Sequence, residues 1–201
     1  LAAGISFLIA AIAGLVLAIM TSLWLILIGC VAILAAWFYT GGSRPYGYSG
    51  YGEVSVFVFF GLVATVGSSY VQSQTIESIS ILCSVPVGLL ASALLVVNNF
   101  RDIETDSETG KQTFAVRLGK AKTKVFFALL LLASIGMYVL IAVFYTYLVL
   151  ITLVVIPLII KLIYDIFSKE NAQDLINLLE NTAKLHLLAG ILLSIGLAAG
   201  L

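Results

Sequence analysis

Seven long apolar runs constrain the fold of this chain more than any other feature. They cover residues 1–20, 22–39, 54–71, 78–97, 125–144, 147–164 and 183–200. Each is close to the roughly 20 residues that a helix needs to cross about 30 Å of hydrocarbon, and none alternates as a barrel strand does. A mean hydropathy of +1.17 and a charged fraction of 10% lie far outside the range of soluble proteins. The sequence therefore predicts an all-α, polytopic transmembrane helical bundle with seven membrane-spanning helices.

The basic residues are confined to alternate connections between these runs. All ten Lys and Arg lie in or beside the second, fourth and sixth connections. The connections around residues 21, 72–77 and 145–146 contain none. Because Lys and Arg near membrane spans stay on the cytoplasmic side, we expect an integral membrane protein whose long polar loops face the cytoplasm.

One polar segment, "NNFRDIETDSETGKQTFAVRLG" at residues 98–119, interrupts the apolar sequence. Asn98, Asp102 and Asp106 are four residues apart, which places them on one face of a helix that ends near Gly110. Two carboxylates one turn apart repel each other unless a cation lies between them. Mg²⁺ prefers oxygen ligands and completes its shell with water or phosphate. The spacing therefore suggests that Asp102 and Asp106 bind Mg²⁺ and, through it, a diphosphate.

Two basic residues follow the carboxylates and are candidates for contact with phosphate. Lys111 and Arg117 carry cationic donors that suit phosphate oxygens. The alternative interpretation is a solvated helix at the membrane surface, in which Arg101–Glu104 and Glu108–Lys111 are ordinary ion pairs three residues apart. The spacing alone leaves both interpretations open.

A second polar stretch, "YTGGSRPYGYSGYGE" at residues 39–53, belongs to the same predicted cytoplasmic face. Its glycines allow tight turns and close approach of the backbone to a ligand. Arg44 is suited to holding a carboxylate or phosphate, and the tyrosines, Tyr39 among them, are suited to stacking on an aromatic ring. The alternative is a belt of interfacial tyrosines around a flexible turn.

Together the two stretches resemble the signature segments of the UbiA-type intramembrane prenyltransferases. The likeness continues through "SVPVGLLASALLVVNN" and "LENTAKLHLLAGILLSIGLAAG", so it covers nearly the whole chain. The resemblance implies a Mg²⁺-dependent aromatic prenyltransferase. It assigns Asp102 and Asp106 to the second aspartate-rich motif, which holds Mg²⁺ on the prenyl diphosphate, and it places Lys111 and Arg117 at the leaving group.

The resemblance also implies the substrates. Polyprenyl diphosphate and an aromatic acceptor are expected, with membrane lipid around them, and the residues in contact with substrate would be Asn98, Asn99, Arg101, Tyr39 and Arg44. The wider superfamily has a Lys-Arg pair a few residues after the tyrosine, and here Ser43 takes the place of the lysine. This departure favours the branch that prenylates 1,4-dihydroxy-2-naphthoate, with decarboxylation, in menaquinone biosynthesis. Another aromatic acceptor is the alternative within the family.

The family pattern has nine transmembrane helices and a first aspartate-rich motif, of NxxxD type, after the second helix. This sequence has seven apolar runs and no such motif before Tyr39. We therefore expect residues 1–201 to be a single transmembrane prenyltransferase domain that lacks the first two helices. On that expectation these residues alone do not catalyse the transfer, because one DxxxD pair supplies only one side of the metal site.

The implied chemistry needs a dry chamber, because water would quench an allylic cation. Phe57, Phe59 and Phe60 are candidates for its wall, although at least one of them is expected to face lipid. Two other classes of membrane protein match less well. A CDP-alcohol phosphotransferase would need DG and AR within its aspartate cluster, and neither occurs in this one. A transport protein more often has charges at the middle of its helices, and none of these runs has one there.

Overall fold

The computed structural model describes residues 2–200 and is helical throughout, with no β-strand in that part of the chain. Its α-helices are α1 (Ala2–Met20), α2 (Trp24–Thr40), α3 (Gly52–Val56), α4 (Ala64–Ser73), α5 (Ser78–Arg101), α6 (Ile103–Glu108), α7 (Phe114–Phe144), α8 (Ile156–Ser168) and α9 (Ala172–Gly200). Tyr46–Ser49 and Tyr147–Val155 form 3-10 helices, and Phe57–Val63 forms a π-helix.

Several of these segments join into membrane-length helices. The π-helix links α3 to α4 in one span, Gly52–Ser73, and the second 3-10 helix leads into α8 in another, Tyr147–Ser168. Within residues 2–200 six helices are long and apolar enough to cross a membrane, and α2, with 17 residues, is a shorter apolar helix. The predicted polytopic bundle is confirmed, and its seven runs correspond to these seven helices. Leu1, the start of the first predicted run, lies outside the described residues.

The buried core lies in the later part of the chain. Val97 of α5, Phe127 and Leu131 of α7, Leu162 of α8 and Leu185 of α9 are completely buried. In a bilayer the lipid removes the hydrophobic drive between helices, so close packing must hold them together. These helices form the framework that carries the polar loops.

The first two helices are packed much less closely. Ala18 is the one buried residue described in α1, and α2 has none. The two helices pack on each other, and α2 also contacts the 3-10 helix Tyr46–Ser49. The α1–α2 hairpin therefore adjoins the bundle at the tyrosine loop, which we define as residues 39–53.

Small residues bring the π-helix that follows the tyrosine loop close to α5. A methyl group built on Gly61 would lie 2.6 Å from the Cα of Gly88. No real Cβ can approach so closely, so the crossing of the π-helix and α5 requires glycine at this position. Phe57 also packs on Gly88, and the polar segment that follows α5 comes to lie beside the loop.

Candidate active site

The aspartate segment, defined as residues 98–117, keeps the one-turn spacing that the sequence predicts. Helix α5 ends at Arg101, and Asp102 has φ −97° and ψ 7° before α6 begins at Ile103. The Asp106 amide nevertheless donates to the Asp102 carbonyl at 2.8 Å. Asp106 is 6% exposed, whereas Glu104 and Glu108 are both exposed. Within α6 the buried side therefore carries Asp106, and the exposed side carries Glu104 and Glu108.

A neighbouring arginine fixes the carboxylate of Asp102. Arg101 donates from Nε to Oδ1 at 2.7 Å and from Nη2 to Oδ2 at 2.8 Å. The same Nη2 donates to Oδ1 of Asn98 at 3.0 Å. Bidentate, charge-assisted bonds of this kind define the orientation of a carboxylate. Asn98, Arg101 and Asp102 therefore form one connected group, although the surface-helix interpretation paired Arg101 with Glu104.

Asp106 forms an ion pair with Lys111, which follows it after the turn at Gly110. Lys111 Nζ lies 2.9 Å from Asp106 Oδ1. Gly110, with φ +77°, ends the helix in a conformation that favours glycine, and the Lys111 amide returns to donate to the Asp106 carbonyl at 2.9 Å. The hydrogen bond and charge of Asp106 raise the pKa of Lys111 above its ordinary value. Lys111 therefore stays cationic at physiological pH.

The two polar segments contact each other directly. The Gln112 amide donates to the Tyr48 carbonyl at 2.8 Å, and Lys111 Nζ lies 4.9 Å from the centroid of the Tyr48 ring. A Cβ built on Gly50 would lie 3.0 Å from Nε of Arg117. Gly50, with φ +82°, thus provides both the turn and the space that Arg117 occupies. The prediction that both segments belong to one face agrees with these contacts.

The remaining predicted residues of the tyrosine loop have different environments. Tyr39 is half-buried, and its ring meets that of Tyr46 edge to face, with centroids 5.4 Å apart. Arg44 is exposed, and it makes no hydrogen bond or ion pair with any other residue between 2 and 200. A guanidinium left without a partner in the protein is available to an anionic ligand.

A cavity of about 590 Å³ opens beside this loop. Tyr39, Tyr46 and Ser55 are the polar residues of its lining, and Phe59 and Phe60 belong to its apolar part. Phe60 is 62% exposed, so one of these rings also faces outward, as the sequence predicts. Phe57 instead packs on Gly88. Of the three expected wall residues, two therefore line this cavity.

Sequence reasoning missed the most buried polar contact of the region. Glu53, 5% exposed, accepts a hydrogen bond from Asn99 Nδ2 to Oε1 at 2.9 Å, and Ser92 Oγ donates to its carbonyl at 3.1 Å. Its Oε2 is buried without a hydrogen-bond partner in the described part of the chain. An unsatisfied buried oxygen costs about 1–3 kcal/mol. Asn99, predicted to bind substrate, thus uses its amide to hold Glu53.

The oxygen donors of the aspartate segment fit Mg²⁺. Asp102 and Asp106 offer carboxylate oxygens one turn apart, and Mg²⁺ commonly binds one or two carboxylates and fills its shell with water and phosphate. Within residues 2–200 no group of three or more His, Cys, Asp or Glu is placed to hold an ion. Asp102 and Asp106 alone would therefore give an ion two carboxylates, and its other ligands would have to come from outside that pair.

Two lysines of α7 form ion pairs with glutamates in or near the aspartate segment. Lys120 pairs with Glu104 at 2.8 Å, and Lys124 pairs with Glu170 at 2.7 Å. Lys124 is 8% exposed and lies 5.6 Å from the centroid of the Phe100 ring. Their contacts tie α6 and the α8–α9 connection to α7.

Comparison with known proteins decides the family. A sequence profile described as the UbiA prenyltransferase family matches residues 1–195. The chain belongs to the UbiA prenyltransferase family. It is 41% identical to the "1,4-dihydroxy-2-naphthoate octaprenyltransferase" of Mycobacterium leprae (strain TN) over 181 residues, which are 90% of this chain and 61% of that protein. The resemblance inferred from the two polar stretches is confirmed.

Two further relatives carry the same name. Identity is 40% over 199 residues with the protein of Mycobacterium tuberculosis (strain ATCC 25618 / H37Rv), covering 99% of this chain and 68% of that protein. Identity is 37% over 174 residues with the protein of Escherichia coli (strain K12), covering 86% of this chain and 56% of that protein. The chain thus spans about two thirds of these relatives or less. Family membership favours prenyl transfer over the phosphotransferase and transport alternatives.

Proposed function

We propose that the protein transfers a polyprenyl group from a prenyl diphosphate to 1,4-dihydroxy-2-naphthoate, with loss of CO₂, at the cytoplasmic side of a bacterial membrane. The observation that carries this proposal is the contact between the aspartate segment and the tyrosine loop, in a chain whose relatives are named for that reaction. One segment offers carboxylates and cations for a diphosphate, and the other offers an unpaired arginine and aromatic rings for an acceptor.

On the diphosphate side, Asp102 and Asp106 would hold Mg²⁺, which when bound neutralises charge on the leaving pyrophosphate. Arg101 keeps the Asp102 carboxylate oriented through its two hydrogen bonds. Lys111 and Arg117 donate hydrogen bonds to phosphate oxygens. The raised pKa of Lys111 keeps its charge available for this role.

On the acceptor side, Arg44 holds the carboxylate of the naphthoate and Tyr39 contacts the ring. The ring carbon that bears the carboxylate attacks the first carbon of the prenyl group, whose bond to the diphosphate oxygen breaks and leaves its electron pair on pyrophosphate. The bond to the carboxyl carbon then breaks, CO₂ departs, and its electron pair restores the aromatic ring. Atoms and charges balance without an oxidant or reductant.

The apolar surroundings of the site suit both an allylic cation and the long tail of the prenyl diphosphate. Phe59 and Phe60 line a cavity that is mostly apolar, where water is disfavoured and the faces of aromatic rings stabilise cationic charge. Every methylene group of the prenyl tail that leaves water gains about 0.8 kcal/mol. A cavity within an integral membrane protein gives such a tail access from the lipid.

An assay of the full-length protein tests the proposal. With 1,4-dihydroxy-2-naphthoate, a polyprenyl diphosphate and Mg²⁺, we expect one CO₂ for each prenyl group transferred and no reaction after chelation of the ion. Mass spectrometry of the product and trapping of labelled CO₂ give the stoichiometry. Prenylation of 4-hydroxybenzoate with its carboxylate retained would instead place the protein in the neighbouring branch of the family.

A further inference from the structure

The strongest unexplained feature of the molecule is the buried contact between Glu53 and Asn99. The two residues are 46 positions apart in sequence and lie in the two polar segments that the proposed function requires to act together. Glu53 begins the span that follows the tyrosine loop, and Asn99 belongs to the last turns of α5. Neither the carboxylate–amide bond nor its burial follows from a role in substrate binding.

The contact reaches Asp102 first through the backbone of α5, from Asn99 to Asn98, and then through the side chains of Asn98 and Arg101. Asn99 follows Asn98 directly in α5, and Asn98 Oδ1 accepts from Arg101 Nη2 at 3.0 Å. Arg101 in turn holds both oxygens of Asp102. A change in the position of Asn99 would therefore move the group that orients the carboxylate.

The contact reaches the tyrosine loop as well. A Cβ built on Gly52 would lie 3.0 Å from the hydroxyl oxygen of Tyr39, so the residue before Glu53 lies against the hydroxyl end of the side chain expected to meet the acceptor. Moving Glu53 would therefore displace the support of Tyr39. The other contacts between the segments, at Tyr48 and Gly50, involve exposed or half-buried groups.

We propose that Glu53 is a positioning residue, which acts through Asn99 to set the distance between the diphosphate-binding and acceptor-binding segments. The inference rests on the proposed function, because it assigns those roles to the two segments. Residues one step behind the groups that contact a metal commonly change affinity or activity 10- to 100-fold when removed. Buried polar groups with unsatisfied atoms are retained where function requires them.

We call the hydrogen bond between Glu53 and Asn99 the bridge. Exchanging its donor and acceptor tests it without changing the size of either side chain. Asn99→Asp sets one carboxylate against another, and we expect the affinity for a prenyl thiolodiphosphate with Mg²⁺ to fall about 10-fold or more. Glu53→Gln keeps an oxygen that accepts from Asn99 and should retain most of the affinity. In the variant that carries both substitutions, the new amide can donate to the new carboxylate, and affinity should return to within about threefold of the unvaried protein.

Binding of the unreactive thiolodiphosphate, measured by calorimetry on the full-length protein in nanodiscs, provides a readout that is independent of turnover. The KM for the acceptor should rise in Asn99→Asp and return towards its original value in the double variant, since the bridge supports both segments. Ser92→Ala is the matched control: it removes the buried hydrogen bond to the Glu53 carbonyl and should lower the unfolding temperature while leaving the affinity within about twofold.

Three results would overturn the inference. The double variant could bind as weakly as Asn99→Asp, which would mean that Asn99 contacts the substrate itself. Ser92→Ala could lose affinity as much as Asn99→Asp, which would mean that the bridge only stabilises the fold. All variants could bind as the unvaried protein does. Failure of the unvaried protein to bind the thiolodiphosphate at all would instead refute the proposed function, and this inference with it.

Discussion

The two polar segments satisfy their charges in opposite ways. In the aspartate segment, Asp102 is paired with Arg101 and Asp106 with Lys111. In the tyrosine loop, Arg44 has no partner in the described part of the chain, and Glu53 has a hydrogen bond to only one of its oxygens. The first segment thus has its geometry before any ligand binds, which is the arrangement that favours electrostatic catalysis. In the second segment the exposed guanidinium of Arg44 keeps its full capacity for hydrogen bonds, as expected of a group that binds an anionic ligand.

The comparison requires that both segments face the same side of the membrane, and this gives an all-or-none prediction. In a variant without Cys30 and Cys83, single cysteines at Ser43 and Ser107 should not react with an impermeant maleimide added to intact cells. A cysteine at Gln72, in a connection without Lys or Arg, should react fully. Labelling of Ser43→Cys or Ser107→Cys from outside would refute the proposed topology, and labelling after permeabilisation is the control for reactivity.

Removing the charge of either aspartate should have the largest effect on turnover. Asp102→Asn and Asp106→Asn in the full-length enzyme should each lower kcat/KM by about 10² or more, because the developing charge on pyrophosphate loses its counterpart. Initial rates over a range of Mg²⁺ concentrations measure the effect.

Glu104→Gln is the matched control, because Glu104 lies between the two aspartates in the sequence and is exposed. It should change kcat/KM by less than about threefold. Equal losses at Glu104 and Asp102 would favour the surface-helix interpretation of the segment over the metal site.

The unpaired state of Arg44 predicts a smaller effect confined to the acceptor. Arg44→Ala should raise the KM for 1,4-dihydroxy-2-naphthoate about 10-fold, the equivalent of about 1.4 kcal/mol, through loss of a charge-assisted contact. The unfolding temperature should not change, because the side chain has no partner among residues 2–200 to lose. The KM of Arg44→Lys should lie between those of the unvaried protein and Arg44→Ala, since an ammonium group lacks the bidentate geometry. An unchanged KM would exclude Arg44 from the acceptor site.

The sequence could predict features that depend on neighbouring residues, but not contacts between distant ones. The spacing of Asp102 and Asp106 is local information, and helical periodicity predicted the single turn between them that the hydrogen bond from the Asp106 amide to the Asp102 carbonyl closes. The apolar runs predicted seven helices, although α9 begins earlier, at Ala172, with polar turns, and the stretch from Phe114 to Leu118 is a separate helical turn that a break at Gly119 (φ +74°) divides from the rest of α7.

Long-range contacts were beyond this reasoning. Glu53 is followed by an apolar run and gives no local signal of its burial, and its partner Asn99 lies in another helix. The same holds for Gly61 and Gly88, whose close approach depends on how two helices cross. The sequence could therefore identify the residues of the two segments but not the bridge between them.

The smallest effect is expected from the exposed ion pair that attaches α6 to α7. Lys120 lowers the pKa of Glu104 through a hydrogen bond and its charge. A carboxyl with a lowered pKa contributes stability above its ordinary value of 4.5, and that contribution is lost as the pH falls through the pKa in the folded protein. Glu104→Gln should therefore unfold at a slightly lower temperature than the unvaried protein near pH 7 and at the same temperature well below pH 4.5.

High salt should remove the same small difference, because both groups are exposed and screened. Thermal unfolding in detergent at several pH values, with low and high salt, measures it. A large difference that persists in high salt would show that the attachment of α6 is essential to the fold. The ordered geometry of the aspartate segment would then depend on this surface pair, and not only on its own pairs with Arg101 and Lys111.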